Sequence, residues 1–247
     1  MRLLITNDDG IEAPGLVELA RSLSADHEVW VVAPDKNRSA ISNAISMADP
    51  IKIVKKKERW YSCSGVPVDC VISGLRTILP APPDAILSGI NKGANLGTDV
   101  VYSGTCGAAR QAIISGIPGI ALSVENFKSR GKWNFKPLAD FVRKNLEALV
   151  RLCDINTFVN INAPSADSYS GWRITRLSKR FYNNAIETFT APDGSYYTFF
   201  KGGTVSTEGD SNSDFITVNE GLISIGRIHA QPQDADDMKE KGLKLSL

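Results

Sequence analysis

Apolar positions in the first two thirds of the chain follow two alternating rhythms. Short continuous apolar runs at Arg2 to Thr6, Glu28 to Ala33, Ala85 to Ser88, Gly119 to Val124 and Phe158 to Ile161 predict buried strands. Between them, Leu16, Leu19, Ala20 and Leu23 keep helical spacing. So do Val68, Val71, Ile72, Leu75 and Leu79, where Pro80, Pro82 and Pro83 end the helix. A third helix opens at Ser103 to Thr105 and stops near Gly116, and a fourth spans Lys136 to Leu152. Strand and helix in alternation make βαβ units, so the pattern predicts an α/β fold with a Rossmann-like, mostly parallel sheet flanked by helices.

The texture changes after Pro164. Trp172, Phe181, Tyr182, Phe189, Tyr196, Tyr197, Phe199 and Phe200 are separated by Pro192-Asp193-Gly194 and by Gly202-Gly203. Aromatic runs split by such turn residues predict a C-terminal β-hairpin extension. The chain therefore reads as a catalytic core over residues 1–164 and an oligomerisation extension over 165–247, whose last segment returns to the core. Exposed aromatic hairpins seldom remain unpaired, which predicts a homodimer or homotetramer.

Composition narrows the function classes. Lys and Arg number 28 against 27 Asp and Glu, and no basic run is longer than Lys55-Lys56-Lys57, so no large nucleic-acid surface is expected. No run of eighteen apolar residues occurs, and Leu3-Leu4-Ile5 is too short for a signal-peptide core; the expectation is a cytoplasmic protein with no membrane contact. Cys63, Cys70, Cys106 and Cys153 form no C-x-x-C pair and sit in apolar stretches, as buried reduced thiols do.

Three polar loops follow predicted strands: Asn7-Asp8-Asp9-Gly10, the segment from Pro34 to Ser39, and the segment from Ser88 to Gly97. In a parallel sheet the carboxyl ends of the strands share one edge, where ligands bind. Adjacent carboxylates Asp8 and Asp9 at the end of a buried strand repel one another unless a cation or a shared proton intervenes. With the Ser39 hydroxyl and the Asn91 amide oxygen they form an oxygen-rich set suited to Mg²⁺ or Mn²⁺. The glycine-rich stretch from Gly89 to Gly107 runs into a helix opened by Ser103-Gly104-Thr105, whose backbone N–H groups and positive end suit a phosphate. It matches neither G-x-x-x-x-G-K-[ST] nor G-x-G-x-x-G.

NDDG at 7–10, VVAPDKNRSA at 31–40, VPVDCV at 66–71, SGINKGANLGTDVVYSGT at 88–105 and GWRITR at 171–176 resemble the SurE family of metal-dependent nucleotidases. The resemblance spans nearly the whole chain. It implies hydrolysis of nucleoside 5′- and 3′-monophosphates, with exopolyphosphatase activity in some members, and a C-terminal extension that joins subunits. It implies metal ligands at Asp8, Asp9, Ser39 and Asn91, and phosphate contacts at Asn95, Ser103, Gly104 and Thr105. Read from the residues themselves, Asp8 and Asp9 are both candidate catalytic groups, with Asp9 taken as the base; adjacent carboxylates on one metal titrate as a coupled set, so either can fill that role. The sequence departs from the family at Val66, where Thr is usual, and at Cys106 and Gln111, where Val and Glu are usual; none of these removes a ligand.

Competing classes fit less well. A phospho-aspartyl phosphatase needs D-x-D, and a receiver-like module needs an Asp after its third strand; Asp8 and Asp9 are contiguous, and Gly89-Ile90-Asn91 fills the second place. A nucleotide-sensing regulatory module without turnover would use the same pocket and stays open. His229 is either a proton donor from the C-terminal segment or a packing residue. His27 reads as a surface residue, Lys36 and Arg38 either neutralise phosphate charge or are solvated, and the tail from Asp234 to Lys241 reads as a solvated helical end.

Overall fold

The computed structural model of the chain describes residues 1–126 and 132–233. Eleven strands are formed among them: β1 (Arg2–Thr6), β2 (Glu28–Pro34), β3 (Ile53–Lys57), β4 (Trp60–Cys63), β5 (Ala85–Lys92), β6 (Gly119–Glu125), β7 (Thr157–Pro164), β8 (Trp172–Thr175), β9 (Lys179–Thr190), β10 (Tyr196–Glu208) and β11 (Ile223–His229). Nine make one sheet in the order β3-β4-β2-β1-β5-β6-β7-β11-β8. The β4-β2-β1-β5-β6-β7 stretch is parallel throughout, and within this sheet β3 meets β4 and β11 meets β7 antiparallel, while β9 and β10 form a separate antiparallel pair.

Helices cover both faces, as a sheet buried on both sides requires. On β1, Leu3 and Ile5 join one core with Leu16, Leu19 and Leu23 of α1 (Pro14–Leu23), while Leu4 joins another with Val71 of α2 (Pro67–Ser73) and Ala108 and Ala112 of α3 (Gly104–Ile114). The first core also takes Leu138, Val142 and Leu146 of α4 (Lys136–Leu152), whose i, i+4, i+8 spacing makes the apolar stripe read in the sequence. A short helix, α5 (Asp214–Asn219), packs beside β11.

Three local readings are corrected. The second helix is α-helical only to Ser73 and closes with a π-helical turn over Gly74–Ile78, where Leu79 N–H donates to Gly74 C=O at 2.9 Å; a Cβ on Gly74 would lie 2.8 Å from Leu4 Cδ2, so the close packing needs glycine. Gly202-Gly203 is no turn: it lies inside β10, at a break in the register with β9 between Phe200 and Gly203, and a Cβ on Gly203 would stand 1.9 Å from Asn183 C=O. Asp193-Gly194 does turn the hairpin, with Gly194 at φ +85° and the Asp193 carboxylate accepting from Ser195 N–H. The strand expected at Ala85 to Ser88, β5, also runs on to Lys92, so Asn91 belongs to a strand and not to a free loop. Residues 234–241, read as a solvated helical end, lie outside the described residues.

Candidate functional site

The turn after β1 sets the site. The Asn7 side chain clamps it, Nδ2 donating to Gly10 C=O at 2.9 Å and Oδ1 accepting from Gly10 N–H at 3.2 Å, with Gly10 at φ +111°. That clamp fixes the backbone on either side of Asp8 and Asp9. Asp8 is buried, accepting from Thr105 Oγ1 at 2.6 Å and Thr105 N–H at 3.2 Å. Burial nevertheless lifts its pKa to about 6, with the Thr105 hydrogen bond opposing and the Asp9 charge adding to the rise. Asp9 accepts from Lys92 N–H at 3.0 Å, and burial raises its pKa as well, against the Lys92 hydrogen bond and charge. No Lys or Arg ion pair neutralises either carboxylate among the described residues.

Asn91 reaches the cleft through a bulge. Along β5 and β6, Ser88 pairs with Ala121 but Asn91 with Ser123, so β5 has one extra residue there, and the alternation of side chains is reset. Gly89, at φ +140°, permits this, because a Cβ there would sit 2.3 Å from Leu122 C=O. Asn91 Nδ2 donates to Gly93 C=O at 2.7 Å, leaving the amide oxygen as its open donor to a cation. Asn95 is fixed further along: its N–H donates to Asn162 Oδ1 at 2.8 Å, its C=O accepts from Asn160 and Asn162, and Nδ2 donates to Ser123 Oγ at 2.7 Å. One Nδ2 hydrogen remains uncommitted.

Ser103 caps α3, its Oγ accepting from Cys106 N–H at 3.0 Å, which leaves the hydroxyl proton free to donate. Gly104 lies against Asp8; a Cβ there would be 2.9 Å from Asp8 Cβ and 3.0 Å from Ile41 Cγ2. Thr105 is fully buried, with its N–H and hydroxyl both given to Asp8. The structure thus gathers Asp8, Ser39, Asn91, Asn95 and Ser103 on one open cleft of about 300 Å³, with Asp9 at its edge and Gly104 and Thr105 behind its wall.

Other candidates fall elsewhere. His229 lines a separate cavity with Arg110 and Ser42 and hydrogen-bonds Gln233. His27 is half-buried, and Arg38 donates to Ser64 C=O at 2.6 Å, so it braces the loop after β2. Gln111 turns away from the site to Ser115 Oγ at 3.1 Å, and Cys106 Sγ packs by Asn160 Oδ1. Sequence reasoning missed Asp99, Tyr102 and Tyr182, which line the same cleft. Tyr102 stood one residue before the recognised Ser103, while Tyr182 comes from the hairpin, where nothing local points to a cleft formed some eighty residues earlier in the chain.

Fold and cleft together define a doubly wound α/β protein that collects carboxylate, hydroxyl and amide oxygens where the carboxyl ends of β1, β2 and β5 meet, beside a helix N-terminus. The profile of the family described as "Survival protein SurE" matches residues 3–184. The chain belongs to the SurE family. It is 40% identical over 253 residues to a protein named 5′-nucleotidase SurE from Desulfitobacterium hafniense, covering all of this chain and 98% of that one. A 5′-nucleotidase SurE from Thermosipho africanus is 39% identical over 232 residues, covering 91% and 90% of the two chains. The crystal structure of a SurE protein from Aquifex aeolicus superimposes with a TM-score of 0.83 at 30% identity over 97% of each chain.

Proposed function

We propose that this chain is a divalent-metal-dependent 5′-nucleotidase, a phosphoric monoester hydrolase that converts nucleoside 5′-monophosphates to nucleoside and phosphate. The observation that carries this reading is the adjacent pair Asp8 and Asp9, neither in a salt bridge among the described residues, with Asp8 hydrogen-bonded to the N-terminus of α3 on the cleft and Asp9 at its edge; the relatives named 5′-nucleotidase SurE support it. Among the described residues no three His, Cys, Asp or Glu side chains cluster for a metal. The donor set fits a hard cation all the same, since Asp8, Asp9, Ser39 and Asn91 can offer oxygens and the buried Asp8 carboxylate has no salt-bridge partner among the described residues. Mg²⁺ or Mn²⁺ held there would supply Lewis-acid polarisation of the phosphoryl group and activation of water.

The remaining chemistry belongs to the chain. Thr105 holds Asp8 in one orientation through two donors. Asn95 Nδ2 and the Ser103 hydroxyl meet the charge spread over the phosphoryl oxygens, and Gly104 and Thr105 behind them set the N-terminus of α3 against that end of the cleft. Asp9, half-buried and within reach of solvent at the edge of the cleft, takes the proton from the attacking water. The same pocket is the place to test 3′-monophosphates and polyphosphate ends as further substrates.

We also read the segment after residue 164 as an extension that joins copies of the chain into a dimer or tetramer, because Phe199, Phe200, Tyr196 and Tyr197 on the hairpin are more than half exposed. Four free cysteines suit the reducing cytoplasm, and no helix among the described residues is long and apolar enough to cross a membrane.

The test is phosphate release from AMP. Stripping with a chelator is expected to abolish it and Mg²⁺ or Mn²⁺ to restore it, while Asp9→Asn with saturating metal loses at least ~10²-fold in kcat. Full activity of folded Asp9→Asn, or of the stripped protein, overturns the reading. A binding-only sensor of nucleotides would show AMP binding by calorimetry with no phosphate released under any metal.

A further inference from the structure

Phosphoryl chemistry needs charge and hydrogen-bond donors, and the cleft supplies these along one wall. Its rim carries something that chemistry does not use: two tyrosines, Tyr102 and Tyr182, 59% and 44% exposed, contributed by elements far apart in the chain. Tyr102 closes the 3₁₀ turn over Gly97–Val101 and immediately precedes Ser103, so its backbone is tied to the phosphate end of the cleft; its C=O accepts from Ser42 N–H at 2.9 Å. Tyr182 arrives from β9.

Tyr182 is held in place. Its hydroxyl donates to Asp99, a residue of the same 3₁₀ turn, and the other oxygen of that carboxylate takes the Arg180 guanidinium. Arg180 N–H donates to Thr98 Oγ1 at 3.0 Å, so backbone and side chain both pin the start of β9 to this turn. The guanidinium carbon lies over the Tyr182 ring at 5.8 Å and also over Phe215 at 5.9 Å. A phenol ring backed by a cation and tied at its hydroxyl has lost most of its rotamer freedom, while nearly half its surface stays in contact with solvent. That is the cheapest arrangement for stacking another flat ring, because little entropy remains to be lost on binding.

We infer that Tyr102 and Tyr182 form the nucleobase subsite of this cleft, with Asp99 and Arg180 as positioning residues for Tyr182. The inference rests on the phosphomonoesterase reading above and names what distinguishes a nucleotide from any other phosphate ester there. The rim recognises the base by its π-face, which every base has, so the subsite tolerates all bases and favours the larger purine rings. A consequence is that the hairpin extension takes part in substrate selection: its first residues complete the cleft.

The experiment compares steady-state kinetics of the metal-loaded, full-length protein and its Tyr102→Ala, Tyr182→Ala and Tyr182→Phe variants on AMP and CMP, with inorganic phosphate as competitive inhibitor. Each alanine variant is expected to raise KM for AMP on the order of tenfold, and for CMP by less, with kcat and the inhibition constant of phosphate within twofold of the parent. Tyr182→Phe keeps the ring and is expected to recover most of the loss, which a general defect of folding would not do. Loss in kcat with KM unchanged, a phosphate constant that rises in step with KM, or no change in either alanine variant overturns the subsite and leaves the hydrolase reading standing. A parent protein that releases no phosphate from AMP or CMP with any divalent metal overturns both.

Discussion

Asp8 shows how far one residue can work against its own fold. Its carboxyl is lifted to about 6 mainly by burial, so the metal-free native state binds a proton more tightly than the unfolded chain does. The sign follows: this residue's contribution to stability falls as pH rises from about 4 to 6, and the cost is fully present above 6. Asp8→Asn removes the charge and keeps both partners, its oxygen accepting from Thr105 N–H and its Nδ2 donating to Thr105 Oγ1. In chelator at pH 7 the variant is expected to melt a few degrees higher than the parent by calorimetry, while its metal-supported hydrolysis falls at least ~10²-fold. A lower melting temperature would mean that the buried charge is no burden. Val66 offers the opposite case. It stands at the N-cap of α2, where the Asp69 carboxylate accepts from Val66 N–H at 2.9 Å but the Val66 side chain has no oxygen to accept from the Asp69 N–H in return. Restoring the hydroxyl with Val66→Thr completes a capping box and is expected to stabilise the fold by about 0.5–1 kcal/mol in urea unfolding, with kcat unaltered.

At the scale of elements, legibility followed period and chain distance. β1, β2, β6 and β7 could be read as continuous apolar runs buried on both faces, α1 and α4 from their helical stripes and α3 from its Ser103 cap, and Asp8, Asp9 and the Ser103 turn because they end or begin those elements. β3 and β4 escaped notice: Lys55-Lys56-Lys57 and Trp60-Tyr61 form an edge pair whose polar outer strand has no apolar rhythm to detect. The bulge in β5 was invisible because a continuous apolar run carries no register. Asp214 was missed for another reason, since its role exists only after folding. Its buried carboxylate accepts from Gly97 N–H at 2.7 Å, Ser178 N–H at 2.9 Å and Phe215 N–H at 2.8 Å, joining the glycine-rich loop, the approach to β9 and the start of α5. Asp214→Ala leaves three backbone donors without this acceptor. We expect a loss of about 3 kcal/mol or more in denaturant unfolding, together with a raised KM, because Gly97 opens the turn that carries Asp99 and Tyr102. Near-parental stability would show that water replaces the carboxylate.

For the whole molecule, the telling contrast lies between a sheet covered on both faces and a ribbon covered on neither. β9 and β10 pair only with each other, and Phe181, Phe189, Phe199 and Phe200 are each about half exposed or more. A chain of 26.8 kDa with such an arm is expected to give a light-scattering mass of at least twice that value at micromolar concentration. Phe199→Ser with Phe200→Ser, which pair with Glu187 and Ile186 beyond Tyr182 on the ribbon, is expected to shift the mass to a smaller species. A single-chain mass for the parent would require the arm to fold back on its own core.

The place of β11 has a consequence for biosynthesis. It is the last described strand to be made, yet it lies inside the sheet, between β7 and β8. While the ribosome is still working through the hairpin, β7 has an open edge and β8 has no neighbour in the sheet at all. The nascent chain can complete its parallel half early, but the far edge must wait until residue 229 has emerged from the exit tunnel. Throughout that interval the aromatic ribbon and the open β7 edge are exposed together, so this is when a chaperone would have most to protect.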